Sequence, residues 1–178
     1  MSSSQIQSLS NAQLKGMTSS QLGSLSTSNL QSLTTGQFQG LIAAQLNGLS
    51  STQVQSLESS DLVAIKGTTM GALGTSQIQA LSSTQVQNLT AQQLKGLSAN
   101  QIKAIDTVDI AALSTGQIAQ FKQDQIGQLT TDQVKALGTQ QIQALEAAQV
   151  RGLTTSQMSA LSTDQLSALT TAQAKTLS

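Results

Sequence analysis

The chain has 178 residues, eight basic and eight acidic side chains, 9% charged and 1% aromatic residues, and no Pro, Cys, His, Trp or Tyr. Zero net charge without base-stacking aromatics excludes a general affinity for nucleic acid or anionic lipid, and no apolar run approaches the ~20 residues of a membrane span, so no membrane insertion is expected. Without His or Cys there is no ordinary general base or thiolate, and no phosphate loop or zinc spacing occurs; the chain is expected not to be an enzyme, with no catalytic, cofactor-binding or metal residues and no cofactor.

The first residues, Met1-Ser2-Ser3-Ser4-Gln5-Ile6, already belong to a repeat and lack the basic start and apolar core of a signal peptide. From Gln5 to Gln173 a glutamine or its replacement recurs at every eighth position, giving twenty-two units without insertion or deletion. The unit reads Leu, Ser/Thr, Ser/Thr, any residue, Gln, Leu/Ile/Val, any residue, small residue. Asn29, Asp61, Thr69 and Asp109 replace the glutamine. The inner aliphatic column (Ile6, Leu14, Leu22 and onward) weakens only to Ala174, and the leucine column (Met1, Leu9, Met17 to Leu177) holds only Leu, Ile, Met or Phe. No charge enters either column, so both are expected to be buried, and residues 1–178 form one array with no separate domains.

A continuous helix would let the two apolar columns drift around its surface, and a continuous strand would put them on opposite faces with polar residues between. The chain must turn once per unit. Ser/Thr followed three residues later by Gln is the pattern of a capping box, and the Leu before the cap with the aliphatic residue four positions after it is that of a hydrophobic staple. Leu161, Ser162, Gln165 and Leu166 illustrate the set. The expected fold is therefore an all-α solenoid of 22 short helices, one per eight-residue repeat; the alternative is a β-solenoid. All eight acids fall at the cap or in the first turn of these helices, and six of the eight bases in the last turn, Lys66 and Lys122 being the exceptions. That polarity suits a helix dipole. The residue before the Leu is small in most units (Gly16, Ser24, Gly40, Ala80, Ala104, Gly152), as a turn or a close approach of neighbours would require. With two units per turn there would be eleven layers and a rod roughly 100 Å long at ordinary helix spacings, three per turn being the other option.

Some units depart from the rule. Glu58-Ser59-Ser60-Asp61 and Asp106-Thr107-Val108-Asp109 carry acids at cap and glutamine positions. These are expected to serve the helix N-terminus; a calcium or partner site is the sharper alternative, with few carboxylates for calcium. Lys66-Gly67-Thr68-Thr69-Met70 lacks both cap and glutamine and is the expected hinge. Ile42 and Val108 put aliphatic residues in polar columns, as a packing adjustment or a small contact patch. Ala-Leu-Gly-Thr recurs at 72–75 and 136–139, which suggests block duplication. With no signal peptide at Met1 to Ile6, the chain is expected either to leave the cell without a cleaved leader or to be a piece of a longer array, and Leu177-Ser178, stopping just as another unit would begin, supports the second.

Thr-Thr-Asp-Gln-Val-Lys-Ala-Leu (130–137) and the acidic variant Glu58 to Ile65 resemble the octapeptide arrays of very large secreted or surface proteins of proteobacteria, described as adhesin-like. The likeness covers essentially the whole chain. It implies an extracellular or cell-surface scaffold and transfers no functional residues. The expected role is a structural repeat protein, a rod, stalk or head-to-tail filament subunit that self-associates through uncapped repeat ends. The alternative is a surface-binding solenoid presenting Ser/Thr rows, such as Thr154-Thr155, Ser162-Thr163 and Thr170-Thr171, to a glycan or to ice.

Overall fold

The computed structural model describes residues 2–177; Met1, placed above in the leucine column, lies outside the described residues, as does Ser178. The chain divides into two compact units, residues 1–97 and 98–178. The first holds α1 (Ser3–Gln7), α2 (Asn11–Lys15), α3 (Ser19–Gly23), α4 (Thr27–Gln31), α5 (Thr35–Gly40), α6 (Ala43–Asn47), α7 (Ser51–Gln55), α8 (Ser59–Ala64), α9 (Gly67–Met70), α10 (Thr75–Gln79), α11 (Ser83–Asn88) and α12 (Ala91–Gly96). The second holds α13 (Ala99–Ala104), α14 (Thr107–Ala112), α15 (Thr115–Ile118), α16 (Gln123–Gln128), α17 (Thr131–Ala136), α18 (Thr139–Ala144), α19 (Ala147–Arg151), α20 (Thr155–Ala160), α21 (Thr163–Ser167) and α22 (Thr171–Ala174). Every repeat makes one helix of four to six residues, and no strand occurs among the described residues, so the all-α solenoid forms and the β-solenoid does not.

The corner between α17 and α18 is made by two successive extended residues, Leu137 and Gly138. In the α17 unit, Thr130 precedes the helix with ψ 159° and Leu137 ends it with ψ 132°. The Leu amide still bonds back to Val134, closing the helix with a tight final turn. Helices this short are unstable alone, so their stability comes from packing. Within both units each helix packs on the helix three repeats later, for example α5 on α8, α9 on α12 and α14 on α17. Away from the ends, both apolar columns are buried, from Leu33 to Leu145, each side chain contributing about 1.5–3 kcal/mol.

Residues facing one another across successive layers are 25 to 31 apart in sequence, as between Gly23 and Gly48 or between Gln133 and Ile102. Helices that stack on one another are three units apart, so three units close a turn, the second of the two options. This corrects the expectation of two units per turn: a helix of about one and a half turns is too short to span a two-sided layer, and the ring needs more sides to enclose two apolar side chains per unit. The layer count and rod length that followed from two per turn fall with it.

The small-residue column has one of its two expected reasons. No described residue, Gly included, has a positive φ, so glycine is not serving a left-handed turn. It serves close approach: a Cβ on Gly48 would stand 2.7 Å from the Ser19 carbonyl oxygen, and one on Gly152 3.1 Å from the Gln123 carbonyl carbon. The Lys66 unit, expected to be a hinge, forms the four-residue α9 with Met70 fully buried and packs on α12, where the Gly67 and Gly96 backbones nearly touch. Gly67 lets the backbones approach where neither cap nor glutamine helps. Ile42 and Val108 remain exposed.

Candidate functional site: the glutamine ladder and the terminal faces

The glutamine is the chain's most heavily engaged polar side chain. In α12, Thr90 accepts the Gln93 amide and Gln93 Oε1 accepts the Thr90 amide at 2.9 Å, completing the capping box. Its other end does something a capping box does not require. Gln93 Nε2 donates to the carbonyls of Leu62, at 2.7 Å, and Ile65, at 2.8 Å, which end α8. One buried side chain therefore serves the N-terminus of its own helix and the C-terminus of a helix one layer earlier, two sets of backbone groups that short helices leave without partners.

The pattern repeats at a fixed offset. Gln37, Gln85, Gln133, Gln141, Gln157, Gln165 and Gln173 each donate to the carbonyls 31 and 28 residues back. Where Ile42, Gly74, Lys122, Gly138 or Glu146 stands at the cap, no cap side chain accepts the helix amide. The glutamine still accepts the cap amide there, so half of the box survives. Serines in the small-residue column add a bond to the glutamine carbonyl, as Ser24 and Ser56 do. No buried side-chain nitrogen or oxygen among the described residues lacks a partner.

The acidic units behave differently from simple caps. Glu58 and Asp106 make no side-chain hydrogen bond to their helix ends. Asp61, 6% exposed, sits where a glutamine would donate to the Leu30 and Leu33 carbonyls, and instead accepts a bond from Thr35 Oγ1 at 3.1 Å. Burial pushes its carboxyl above the ordinary range, with a further push from Glu58, while the Thr35 bond pulls the other way. Among the described residues no three His, Cys, Asp or Glu side chains gather as a metal site would need.

One open cleft of about 600 Å³ lies between α16 and α19, where Gly127 and Gly152 bring the backbones together; Asp124 and Arg151 are its charged groups. A second, of about 430 Å³, opens on the first turn among Leu9, Met17, Leu25 and Gln21. Here the ladder is incomplete. Gln5, Gln13 and Gln21 are exposed, and each makes its capping box without a cross-layer bond among the described residues. At the other extremity, the carbonyls of Leu161 and Leu169 meet no donor among the described residues, and Leu166 is 45% exposed. Sequence reasoning found the capping half of the glutamine's work and missed the cross-layer half.

Models of a known repeat match residues 54–91, 90–123, 102–139 and 142–178, more than half of the chain. The chain belongs to the ALTTAQ repeat family. The family's name stands verbatim at residues 168–173, from Ala168 through Leu169, the cap Thr170 and Thr171 to Gln173, so the ALTTAQ motif spans the leucine corner, the cap and the ladder glutamine. No curated protein matches the chain. Among the described residues no helix is long and apolar enough to cross a membrane.

Proposed function

We propose that this ALTTAQ repeat chain is a non-enzymatic structural element, a rod, stalk or spacer of stacked turns at or outside the cell surface. The observation that carries this reading is the buried ladder. The side chain repeated most regularly, and the one richest in hydrogen-bonding groups, is committed to joining one layer to the next, and the Ser and Thr beside it to capping. The extracellular placement follows the resemblance to secreted octapeptide arrays. Small-angle X-ray scattering of the full chain tests the role: a rod-like profile is expected, and a globular one overturns it.

A second reading, a surface-binding solenoid for a glycan or ice, is favoured by one feature of residues 98–178. Helices that pack on one another carry Thr at the first helical position, Thr107, Thr131 and Thr155 on α14, α17 and α20, and again Thr115, Thr139 and Thr163 on α15, α18 and α21. The preceding residue does the capping wherever it is Ser or Thr, which leaves these hydroxyls available. Thermal hysteresis or glycan-array binding lost in Thr131→Lys would support it; neither signal in the unaltered chain removes it.

A further inference from the structure

The ladder glutamines and the cap hydroxyls are spent on the fold; most polar side chains of the cleft between α16 and α19 are not. The floor of this cleft is bare backbone. A Cβ on Gly127 would stand 2.7 Å from the Gly152 carbonyl oxygen, and the Gln123 side chain lies against Gly152. Gln123 and Asp124 line it from the start of α16, Gln128 from the end of that helix, and Arg151 from the end of α19. The side chains of Gln123, Asp124, Gln128 and Arg151 hydrogen-bond to no described residue, and Asp124 and Arg151 form no ion pair. At the rim, the Thr154 hydroxyl accepts the Gln157 amide at 3.3 Å, which leaves its proton free to be donated. Arg151 is the chain's only arginine; at 15, 95, 103, 135 and 175 the same column carries lysine. The arginine offers a planar fork that can take both oxygens of one carboxylate, where lysine offers a point charge.

These groups define what the cleft can hold. Its volume, about 600 Å³, is that of an ordinary small-ligand site, yet no aliphatic or aromatic side chain lines it. Recognition must therefore run through charge and hydrogen bonds. Arg151 only donates, the Asp124 carboxylate only accepts, and the two glutamine amides do both. A complementary ligand presents a carboxylate at one end and several hydroxyls elsewhere. A free amino acid would answer the two charges and leave the amides and Thr154 unused. A sulfate or phosphate would set further negative charge against Asp124 and bring it no donor.

We propose that the α16–α19 cleft binds a uronic acid unit of an acidic polysaccharide. The Arg151 fork holds the sugar carboxylate, Asp124 accepts from its hydroxyls, and Gln123, Gln128 and Thr154 complete the ring of hydrogen bonds. Because the cleft is open, the sugar can lie within a longer chain. This site is separate from the threonine rows, and it gives a stack of turns a point of attachment that draws nothing from the ladder.

The test is an amide NMR titration of the full, isotope-labelled chain with digalacturonate. Saturable shifts are expected at residues 123–128 and 151–154, and the neutral galactose disaccharide is expected to bind about tenfold more weakly or worse. Arg151→Gln should weaken digalacturonate binding by about tenfold or more, and Arg151→Lys by about threefold, since the charge remains and the second parallel bond is lost. Asp124→Asn should also weaken it, although a simple attraction of an anion to Arg151 would be strengthened by removing that charge. Circular dichroism and melting of all three variants should match the parent, because the altered side chains are exposed and unbonded. The proposal is overturned by an absence of saturable shifts at millimolar sugar, by glycine or inorganic sulfate shifting the same amides as strongly, by tighter binding in Asp124→Asn, or by Arg151→Gln binding like the parent. None of these results touches the rod or the threonine rows, since neither the ladder glutamines nor Thr131 line the cleft.

Discussion

Gln13 and Gln93 occupy the same column, follow the same kind of hydroxyl cap and accept the cap amide at the same 2.9 Å, yet they do different amounts of work. Gln13 is exposed and serves only its own helix, whereas Gln93 is fully buried and also holds two carbonyls of α8. Repeats that look equivalent in sequence are therefore unequal in energy, and the difference lies in whether a layer precedes them.

The largest break in that comparison is expected from Gln93→Leu, which fills the space but leaves the Thr90 amide and the Ile65 carbonyl without partners, the Leu62 carbonyl keeping only the Ile65 amide. At about 1–3 kcal/mol for each buried orphan, a loss of about 3 kcal/mol or more is expected in urea unfolding. Gly48→Ala tests the other means of holding layers together. The new Cβ would meet the Ser19 backbone at 2.7 Å, and since backbone cannot rotate aside, a loss of about 1–3 kcal/mol is expected.

Asp61→Gln should act in the opposite direction. It restores a donor toward the Leu30 and Leu33 carbonyls and removes a buried carboxylate, so a gain of about 1 kcal/mol at neutral pH is expected from thermal melting. The pH dependence follows from the raised carboxyl. The folded state holds the Asp61 proton more tightly than the unfolded state, so the stability it contributes is fully present below the ordinary value of 3.8 and is lost as pH rises through the folded value. No charged residue faces it from α5 or α11, the helices packed on α8, and Glu58 is the nearby acid. Asp61→Asn should flatten this slope in melts across that range, and an unchanged slope would assign it elsewhere. The smallest effect belongs to Gln13→Leu, at about 0.5 kcal/mol or less in the monomer, because only an exposed capping bond is lost.

Much of this was legible in the residues. Ser/Thr-x-x-Gln located the helix starts, and the charge-free columns marked the core. Three things were not visible. The number of units per turn depends on how short helices tile a ring, which a strict period of eight leaves open. The glycines at 48, 67 and 152 look like the serines and alanines that share their columns, and only backbone proximity across layers distinguishes them. The cross-layer bond was hidden because the capping box already explained the glutamine. A signal was nevertheless present: glutamate serves a capping box as well as glutamine does, yet no Glu occurs among the twenty-two positions of that column. A requirement for an acceptor and a donor on one side chain accounts for that preference. The Lys66 unit misled for a related reason, since local capping says nothing about the support that Gly67 gains from α12.

The constant offset of the ladder has a further consequence. The interior Nε2 atoms, Gln53 apart, find their acceptors by counting back 31 and 28 places, and nearly every such place presents the same two carbonyls. Removing or inserting eight residues, or any multiple of eight, slides every donor onto an equivalent pair and leaves the bonding intact, whereas a change of any other size strands the remainder. Length can thus vary in fixed increments without a new core having to be found, and the chain acts as a ruler graduated in single helices.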